Sequence, residues 1–86
     1  MQQLIFSSAF QRQLKKIISK NPKLKNKSNK TLKVLIKDIN RPSLRLHKLS
    51  GKSNWSVSVT TSLRIVIHLD KSNIYCLRIG THDRVY

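Results

Sequence analysis

Hydrophobic residues in the first half of the chain recur at the spacing of helices. From Ala9 onward the apolar positions are separated by three or four residues, which places them on one face of a helix. These positions are Phe10, Leu14, Ile17 and Ile18. The short apolar run Leu4-Ile5-Phe6 predicts a strand before this helix, and the hydroxyls of Ser7-Ser8 can cap its first turn.

A second helix is predicted to follow almost at once. Asn21 is a candidate N-cap, and the fixed φ of Pro22 suits a first helical turn. The inward stripe of this helix comprises Leu24, Ser28, Leu32, Leu35, Ile36 and Ile39. Asn40-Arg41-Pro42 ends the helix, because the residue before a proline is disfavoured in helical conformation.

After Pro42 the hydrophobic period changes from about 3.6 residues to about 2, which is typical of strands. Four alternating runs are predicted as strands, at 44–47, 55–60, 63–70 and 74–79. The short connections between them imply antiparallel pairing. The sequence therefore predicts one α+β domain over residues 1–86. An N-terminal strand and a two-helix hairpin would pack on one face of a twisted antiparallel sheet.

Strand alternation assigns side chains to the two faces of this sheet. Leu63, Ile65 and Ile67 are expected under the helices, so Arg64 and Val66 project from the opposite side, named here the open face. Other residues expected on the open face are His68, Ser56, Ser58 and Arg78. In the last run, strict alternation places Tyr75, Leu77 and Ile79 together, opposite Ile74, Cys76 and Arg78.

Charge and cysteine content narrow the class of protein. The 86 residues contain 18 Lys and Arg but only three acids, Asp38, Asp70 and Asp83, which gives a formal charge of +15. Such a surface favours a polyanion or an acidic protein as partner. The lone Cys76 lies in an apolar run and predicts a buried, inert thiol in a reducing cytoplasm. The apolar runs are too short to span a bilayer, so no membrane role is expected.

The open face carries the side chains that RNA cleavage requires. Such a reaction needs a base for the ribose 2′-hydroxyl, cations for the phosphorane and an acid for the leaving 5′-oxygen. His47 and His82 are the candidate acid/base pair, because imidazole titrates near neutrality. Arg64 is the candidate phosphate clamp, since a guanidinium stays charged and can bind phosphate through two hydrogen bonds. Tyr86 can stack on a base, and Asp83 can orient His82.

Five segments, in this order, resemble the RelE/ParE superfamily of bacterial toxins, and within it the mRNA interferases near RelE, YoeB and YafQ. They are Phe10 with Leu14-Lys15-Lys16, Leu44-Arg45-Leu46-His47-Lys48-Leu49-Ser50-Gly51, Trp55-Ser56-Val57-Ser58-Val59, Leu63-Arg64-Ile65-Val66-Ile67 and Ile79-Gly80-Thr81-His82-Asp83-Arg84-Val85-Tyr86. The resemblance covers nearly the whole chain and implies the RelE-like microbial ribonuclease fold.

The resemblance also implies an activity and partners. It implies metal-independent cleavage of mRNA without a cofactor, commonly in the ribosomal A site, which would inhibit translation. It implies an acidic cognate antitoxin encoded alongside, and with it a toxin–antitoxin hetero-oligomer. The cytoplasm is the expected location.

Individual positions match the family's site. His47 falls where YafQ-like members carry a His and YoeB-like members a catalytic Glu, and Arg64 falls at the phosphate-binding Arg. His82 and Tyr86 match the C-terminal catalytic His and the terminal aromatic residue. Ser62 stands in place of an acidic residue of YafQ-like sequences, which leaves the base role to His47 alone or shared with Lys48. The residues expected to bind substrate are Arg45, Lys48, Lys52, Arg78, Asp83 and Arg84.

Plainer interpretations accompany these hypotheses. His68 is interpreted as structural or as a peripheral RNA contact, and Trp55 as a core anchor rather than a stacking platform. Three widely spaced His do not make a metal site. The alternative function is a non-enzymatic one. The chain would then be a ParE-like toxin that inhibits DNA gyrase, or an inactive RNA-binding relative. The paired imidazoles favour the ribonuclease.

Overall fold

A computed structural model describes residues 3–49 and 54–81 of the chain. The elements are β1 (Gln3–Phe6), α1 (Ser8–Lys20), α2 (Lys23–Lys37), a 3-10 turn (Pro42–Leu44), β2 (His47–Lys48), β3 (Asn54–Ser58), β4 (Leu63–Leu69) and β5 (Asn73–Thr81). The predicted order of a strand, a helical hairpin and a series of strands is confirmed. Predictions that concern residues 50–53 and 82–86 lie outside the described residues.

The described strands form one sheet in the order β1-β5-β4-β3-β2. Strands β2 to β5 pair antiparallel, as the short connections predict. Strand β1 pairs with β5 in parallel, with Gln3 opposite Asn73 and Phe6 opposite Cys76, so the sheet is mixed. Parallel pairing is possible because both helices and strands β2 to β4 lie between β1 and β5 in the chain, which gives a long enough connection.

The predicted cap of α1 is present and also ties the helix to the sheet. The Ser7 hydroxyl accepts a hydrogen bond from the backbone amide of Phe10 at 2.9 Å. The same hydroxyl donates to the carbonyl of Leu77 in β5 at 2.7 Å. One serine therefore fixes where α1 begins and where it lies against the sheet.

Helix α2 differs from the prediction at both ends. Pro22 occupies the N-cap position and Asn21 makes no side-chain cap, although its backbone carbonyl accepts from the amide of Leu24 at 3.0 Å. The helix ends at Lys37, before the predicted Asn40-Arg41-Pro42. Ile36, expected in the inward stripe, is 39% exposed because it is turned about 100° from the buried Leu35.

Among the described residues, no helix is both long enough and apolar enough to cross a membrane.

The strand predicted at 44–47 is mostly absent. Pro42–Leu44 form a 3-10 turn, and Arg45 follows with a left-handed backbone, φ 48°. Only His47–Lys48 pair with β3. The period-2 pattern failed here because it assumes extended backbone throughout, whereas the turn brings Leu44 into the core by a different path.

The core lies between the helices and one face of the sheet. Its buried residues are Phe10, Leu32, Leu35, Leu44, Val57, Leu63, Ile65, Ile67, Ile74, Cys76 and Ile79. Trp55 is half-buried and packs against this cluster, as expected for a core anchor. The prediction that Cys76 is buried is confirmed.

A β-bulge in β5 changes which side chains face the helices. Val66 pairs with Arg78 while the next residue, Ile67, pairs with Cys76, so Leu77 is an extra residue without a partner in β4. The extra residue shifts the alternation of side chains by one, so residues before and after Leu77 follow opposite alternation patterns. The predicted grouping of Tyr75 with Ile79 was therefore wrong: Tyr75 lies opposite His68, on the open face, while Ile79 is in the core.

Candidate active site

Arg64 lies on the open face near the start of β4, the central strand of the sheet, and is held there by three hydrogen bonds. Its Nε and Nη2 donate to the Ser56 hydroxyl at 3.2 and 3.1 Å, and Nη2 also donates to the carbonyl of Arg45 at 3.0 Å. Within the ranges that the structure describes, Nη1 donates to no protein group. A fixed guanidinium with two N–H groups free is suited to bind an oxyanion.

His47 lies beside this guanidinium. The sheet register places His47 directly opposite Ser56, and Ser56 opposite Val66 of β4. Directly opposite side chains share a face with Cβ atoms about 5 Å apart. Because Arg64 reaches over Ser56, its guanidinium is one strand away from His47 on the same face. His47 and Arg64 therefore share one face of the sheet, and their joint role stays a prediction.

The other described residues that were predicted to be cationic site residues differ in how they lie relative to this pair. Arg78 lies opposite Val66 on the open face, and its Nε is buried with no hydrogen-bond partner in the described part of the chain. Lys48 lies on the opposite side of β2 from His47, with its Nζ 5.9 Å from the Trp55 ring centroid. Arg45 is exposed and contributes its backbone carbonyl to Arg64. Arg78 therefore extends the cationic surface, while Lys48 faces the other way.

The acids of the described residues lie in turns and not beside Arg64. Asp38 Oδ1 accepts from the amide of Asn40 at 3.1 Å. Asp70 Oδ1 accepts from the amides of Ser72 and Asn73 at 2.9 and 2.7 Å, and these bonds hold the pKa of the Asp70 carboxyl below its usual value. Neither carboxylate makes a hydrogen bond to Arg64.

The remaining predicted site residues are outside the described residues. They are Lys52, His82, Asp83, Arg84 and Tyr86. Strand β5 ends at Thr81, which pairs with Leu63, the residue before Arg64 on β4. The structure thus brings together His47, Arg64 and Arg78, while the roles of His82 and Tyr86 rest on the sequence.

Two residues with a place in the site were not assigned one from the sequence. Ser56 was expected on the open face, but its function as the anchor of Arg64 follows from the folded register. Tyr75 was expected among the apolar residues of the last strand. Its place beside His68, with ring centroids 5.8 Å apart, depends on the bulge, which no residue pattern in the strand indicates.

A separate cavity of about 440 Å³ lies between α2, the 3-10 turn and the β3–β4 turn. Lys27, Lys30, Thr31, Val34 and Thr60 are among its lining residues, and neither His47 nor Arg64 is. Among the residues with coordinates described, no three His, Cys, Asp or Glu side chains are placed to hold a metal ion.

Comparison with known proteins identifies the fold. No protein-family model matches the chain, and no curated protein is similar to it in sequence. Solved structures do match, and they include YafQ from a toxin–antitoxin complex and a YoeB/ParE toxin: the chain has the fold of RelE/ParE-type toxins.

Three of the matching structures represent the range of that fold. YafQ in the E. coli DinJ–YafQ complex is 21% identical with a TM-score of 0.82, covering 100% of this chain and 99% of its own. The YoeB/ParE toxin of Agrobacterium tumefaciens is 15% identical with a TM-score of 0.80, over 95% and 99%. A chain of the YoeB–YefM complex of Staphylococcus aureus is 20% identical with a TM-score of 0.77, over 95% and 98%.

Proposed function

We propose that this chain is the toxin of a toxin–antitoxin system and an endoribonuclease that cleaves mRNA. The observation that carries the proposal is the Arg64 guanidinium, held over Ser56 on the same face as His47, with Nη1 donating to no group within residues 3–49 and 54–81. The toxin fold supports the class of protein. The pairing of a fixed cation with an imidazole supports the ribonuclease over a toxin that acts by binding alone.

In the proposed reaction the RNA supplies its own nucleophile. His47 takes the proton of the ribose 2′-hydroxyl, and the 2′-oxygen attacks the adjacent phosphorus. The bond from phosphorus to the 5′-oxygen then breaks, and His82 donates a proton to that oxygen. The products are a 2′,3′-cyclic phosphate and a 5′-hydroxyl, so atoms and protons balance without a metal or cofactor.

Arg64 stabilises the charge that develops during this attack. Its Nη1 hydrogens are available to the non-bridging oxygens, and its other donors are already directed by Ser56 and Arg45. A donor that is fixed before the reaction needs no reorganisation in the transition state. Arg78, whose partner Val66 is two residues from Arg64 on the open face, would bind a neighbouring phosphate of the same RNA strand.

The charge of the whole chain fits a large polyanionic partner. With 18 Lys and Arg against three acids, association with mRNA on the ribosome is expected to weaken steeply as salt rises. We place cleavage in the ribosomal A site, as the resemblance to mRNA interferases implies. Tyr86 would stack on a base near the cut.

An acidic antitoxin completes the proposal. The toxins of similar fold are found in DinJ–YafQ and YoeB–YefM complexes. For this chain we propose that an acidic antitoxin segment covers the open face around Arg64 or displaces the Tyr86 tail, because neither described acid, Asp38 or Asp70, makes a hydrogen bond to Arg64. A complex in which the antitoxin contacts the helices alone would contradict this placement.

The test is controlled expression followed by mapping of message ends. Wild-type protein should arrest translation and leave messages with 5′-hydroxyl ends. His47→Ala should slow single-turnover cleavage on programmed ribosomes by about 100- to 10,000-fold. Arg64→Lys should slow it by about 100-fold or more, because lysine cannot reproduce the guanidinium geometry.

Arg12→Lys is the matched control, since it makes the same change on the exposed surface of α1 and should leave cleavage unchanged. Growth arrest with intact messages and DNA-damage signalling would overturn the ribonuclease proposal and support inhibition of DNA gyrase instead.

A further inference from the structure

A row of four side chains, of which the middle two are aromatic, crosses the open face at the end of the sheet where β4 turns into β5. The register pairs Ile5 with Tyr75, Tyr75 with His68, and His68 with Asn54. These four residues therefore lie side by side on one face. Ile5 is 39% exposed, and the two rings are half-buried, so the row is accessible from solvent.

The two rings are held in fixed positions. Their centroids are 5.8 Å apart with an interplanar angle of 44°. His68 Nδ1 is 3.3 Å from Asn54 Oδ1, and the Asn73 side-chain amide donates to the Tyr75 hydroxyl at 3.3 Å. Rings that are oriented by polar neighbours lose little conformational freedom when a ligand stacks on them.

The packing of the core does not account for this pair. The core cluster lies on the opposite face of the sheet and includes neither ring. Tyr75 is on the open face because Leu77 is an extra residue in β5, which switches the parity between Tyr75 and Ile79. An accessible aromatic pair that the fold's interior does not use is available for a ligand.

The position of the pair indicates which ligand. His68 is four residues from Arg64 along β4, so their Cα atoms are about 13 Å apart on one face. Val66 and its partner Arg78 lie between them, and Arg78 has a buried Nε with no hydrogen-bond partner in 3–49 or 54–81. A strand of RNA with its scissile phosphate at Arg64 and another phosphate near Arg78 would bring a base over the rings.

We propose that His68 and Tyr75 form a stacking platform for a base of the RNA that flanks the scissile phosphate. The inference rests on the proposed ribonuclease function and adds a second contact to the substrate. Stacking on aromatic residues tolerates every base, so the platform would add affinity and position rather than strict sequence preference.

The test combines a protein change with a change in the RNA. Tyr75→Leu removes the ring and keeps an apolar side chain, while Tyr75→Phe keeps the ring and is the matched control. Messages with an abasic nucleotide at successive positions on both sides of the cut are presented on programmed ribosomes, and cleavage is measured at subsaturating concentrations of the protein.

For wild-type protein and Tyr75→Phe, one abasic position should weaken productive binding by about 5- to 150-fold. For Tyr75→Leu the same position should have no further effect, because the stacking partner is already missing. If wild-type protein cleaves, but the losses of binding caused by Tyr75→Leu and by the abasic nucleotide are additive at every position, the platform is disproved. The ribonuclease proposal is then unaffected.

Two further outcomes are decisive. If wild-type protein leaves all messages intact, the ribonuclease proposal fails and the platform fails with it. If all variants cleave alike but Tyr75→Leu weakens the complex with an acidic antitoxin, the row is a protein-docking surface and the RNA platform is wrong.

Discussion

The side chain of Gln13 accepts a hydrogen bond from the backbone amide of Ile79 at 2.9 Å, across 66 positions of sequence. This contact joins α1 to β5 two residues beyond the bulge at Leu77, whose carbonyl is bound by Ser7. Helix α1 and its cap residue Ser7 thus bind the backbone of β5 on both sides of Arg78, at the carbonyl of Leu77 and the amide of Ile79.

Removal of this contact should destabilise the fold. Gln13→Leu leaves the half-buried amide of Ile79 without an acceptor, which should lower the free energy of unfolding by about 1–3 kcal/mol. Urea denaturation measures the change. Gln13→Glu keeps an acceptor at the same distance from the backbone and should retain most of the stability. Equal losses in both variants would show that the hydrogen bond is not the cause.

The anchor of Arg64 can be tested separately from Arg64 itself. Ser56→Ala removes the acceptor of two guanidinium hydrogen bonds, so cleavage should fall while the guanidinium is still present. A loss of about 10-fold or more in single-turnover rate is expected, since hydrogen bonds to charged groups contribute roughly 1.5–3 kcal/mol. Ser58→Ala is the control, because the Ser58 hydroxyl donates to the carbonyl of Thr60 instead. Similar rates in both variants would contradict the anchoring role.

The thiol of Cys76 should report unfolding. Burial raises the pKa of Cys76 to about 12, so almost no thiolate is present at neutral pH. A thiol reagent should modify Cys76 only as fast as the protein unfolds and exposes the thiol. Ile65→Ala, which removes a buried side chain at a cost of about 2–5 kcal/mol, should accelerate modification. Rapid labelling of the wild-type protein in native buffer would show that Cys76 is accessible.

Asp70 should contribute stability that depends on pH. Hydrogen bonds from the amides of Ser72 and Asn73 hold the pKa of Asp70 below its ordinary 3.8. A carboxyl with a lowered pKa stabilises the fold above its unfolded pKa and loses that contribution as pH falls through its folded pKa. Asp70→Asn should therefore lower the urea midpoint at neutral pH, and the difference from wild type should shrink in acid. A difference that stays constant from neutral pH to well below pH 3.8 would contradict this origin.

Much of the architecture could be predicted because the spacing of hydrophobic residues indicates which face of a helix or strand is buried. The stripe from Phe10 to Ile17 and the alternation from Leu63 to Ile67 each belong to regular elements, so both were placed correctly. The pattern failed where the backbone departs from regularity. Arg45 adopts a left-handed conformation without being a glycine, and no local signal marks it.

The site was predicted in part for the same reason. Arg64 and Ser56 could be assigned to one face because both lie in regular strands. Tyr75 could not, since a single extra residue at Leu77 switches every side chain before it to the other face. Nor does the sequence show that β1 would pair in parallel with β5, because that contact joins the two ends of the chain.

The bond from Arg64 to the Arg45 carbonyl gives the guanidinium two separate tasks. In the proposed reaction it would stabilise negative charge on the substrate, and in the structure it binds the left-handed residue that leads into His47. Free guanidinium added to an Arg64→Ala protein could restore the first task alone. Chemical rescue of the proposed cleavage should consequently remain incomplete at saturation, and the shortfall would measure how much the position of His47 depends on that hydrogen bond.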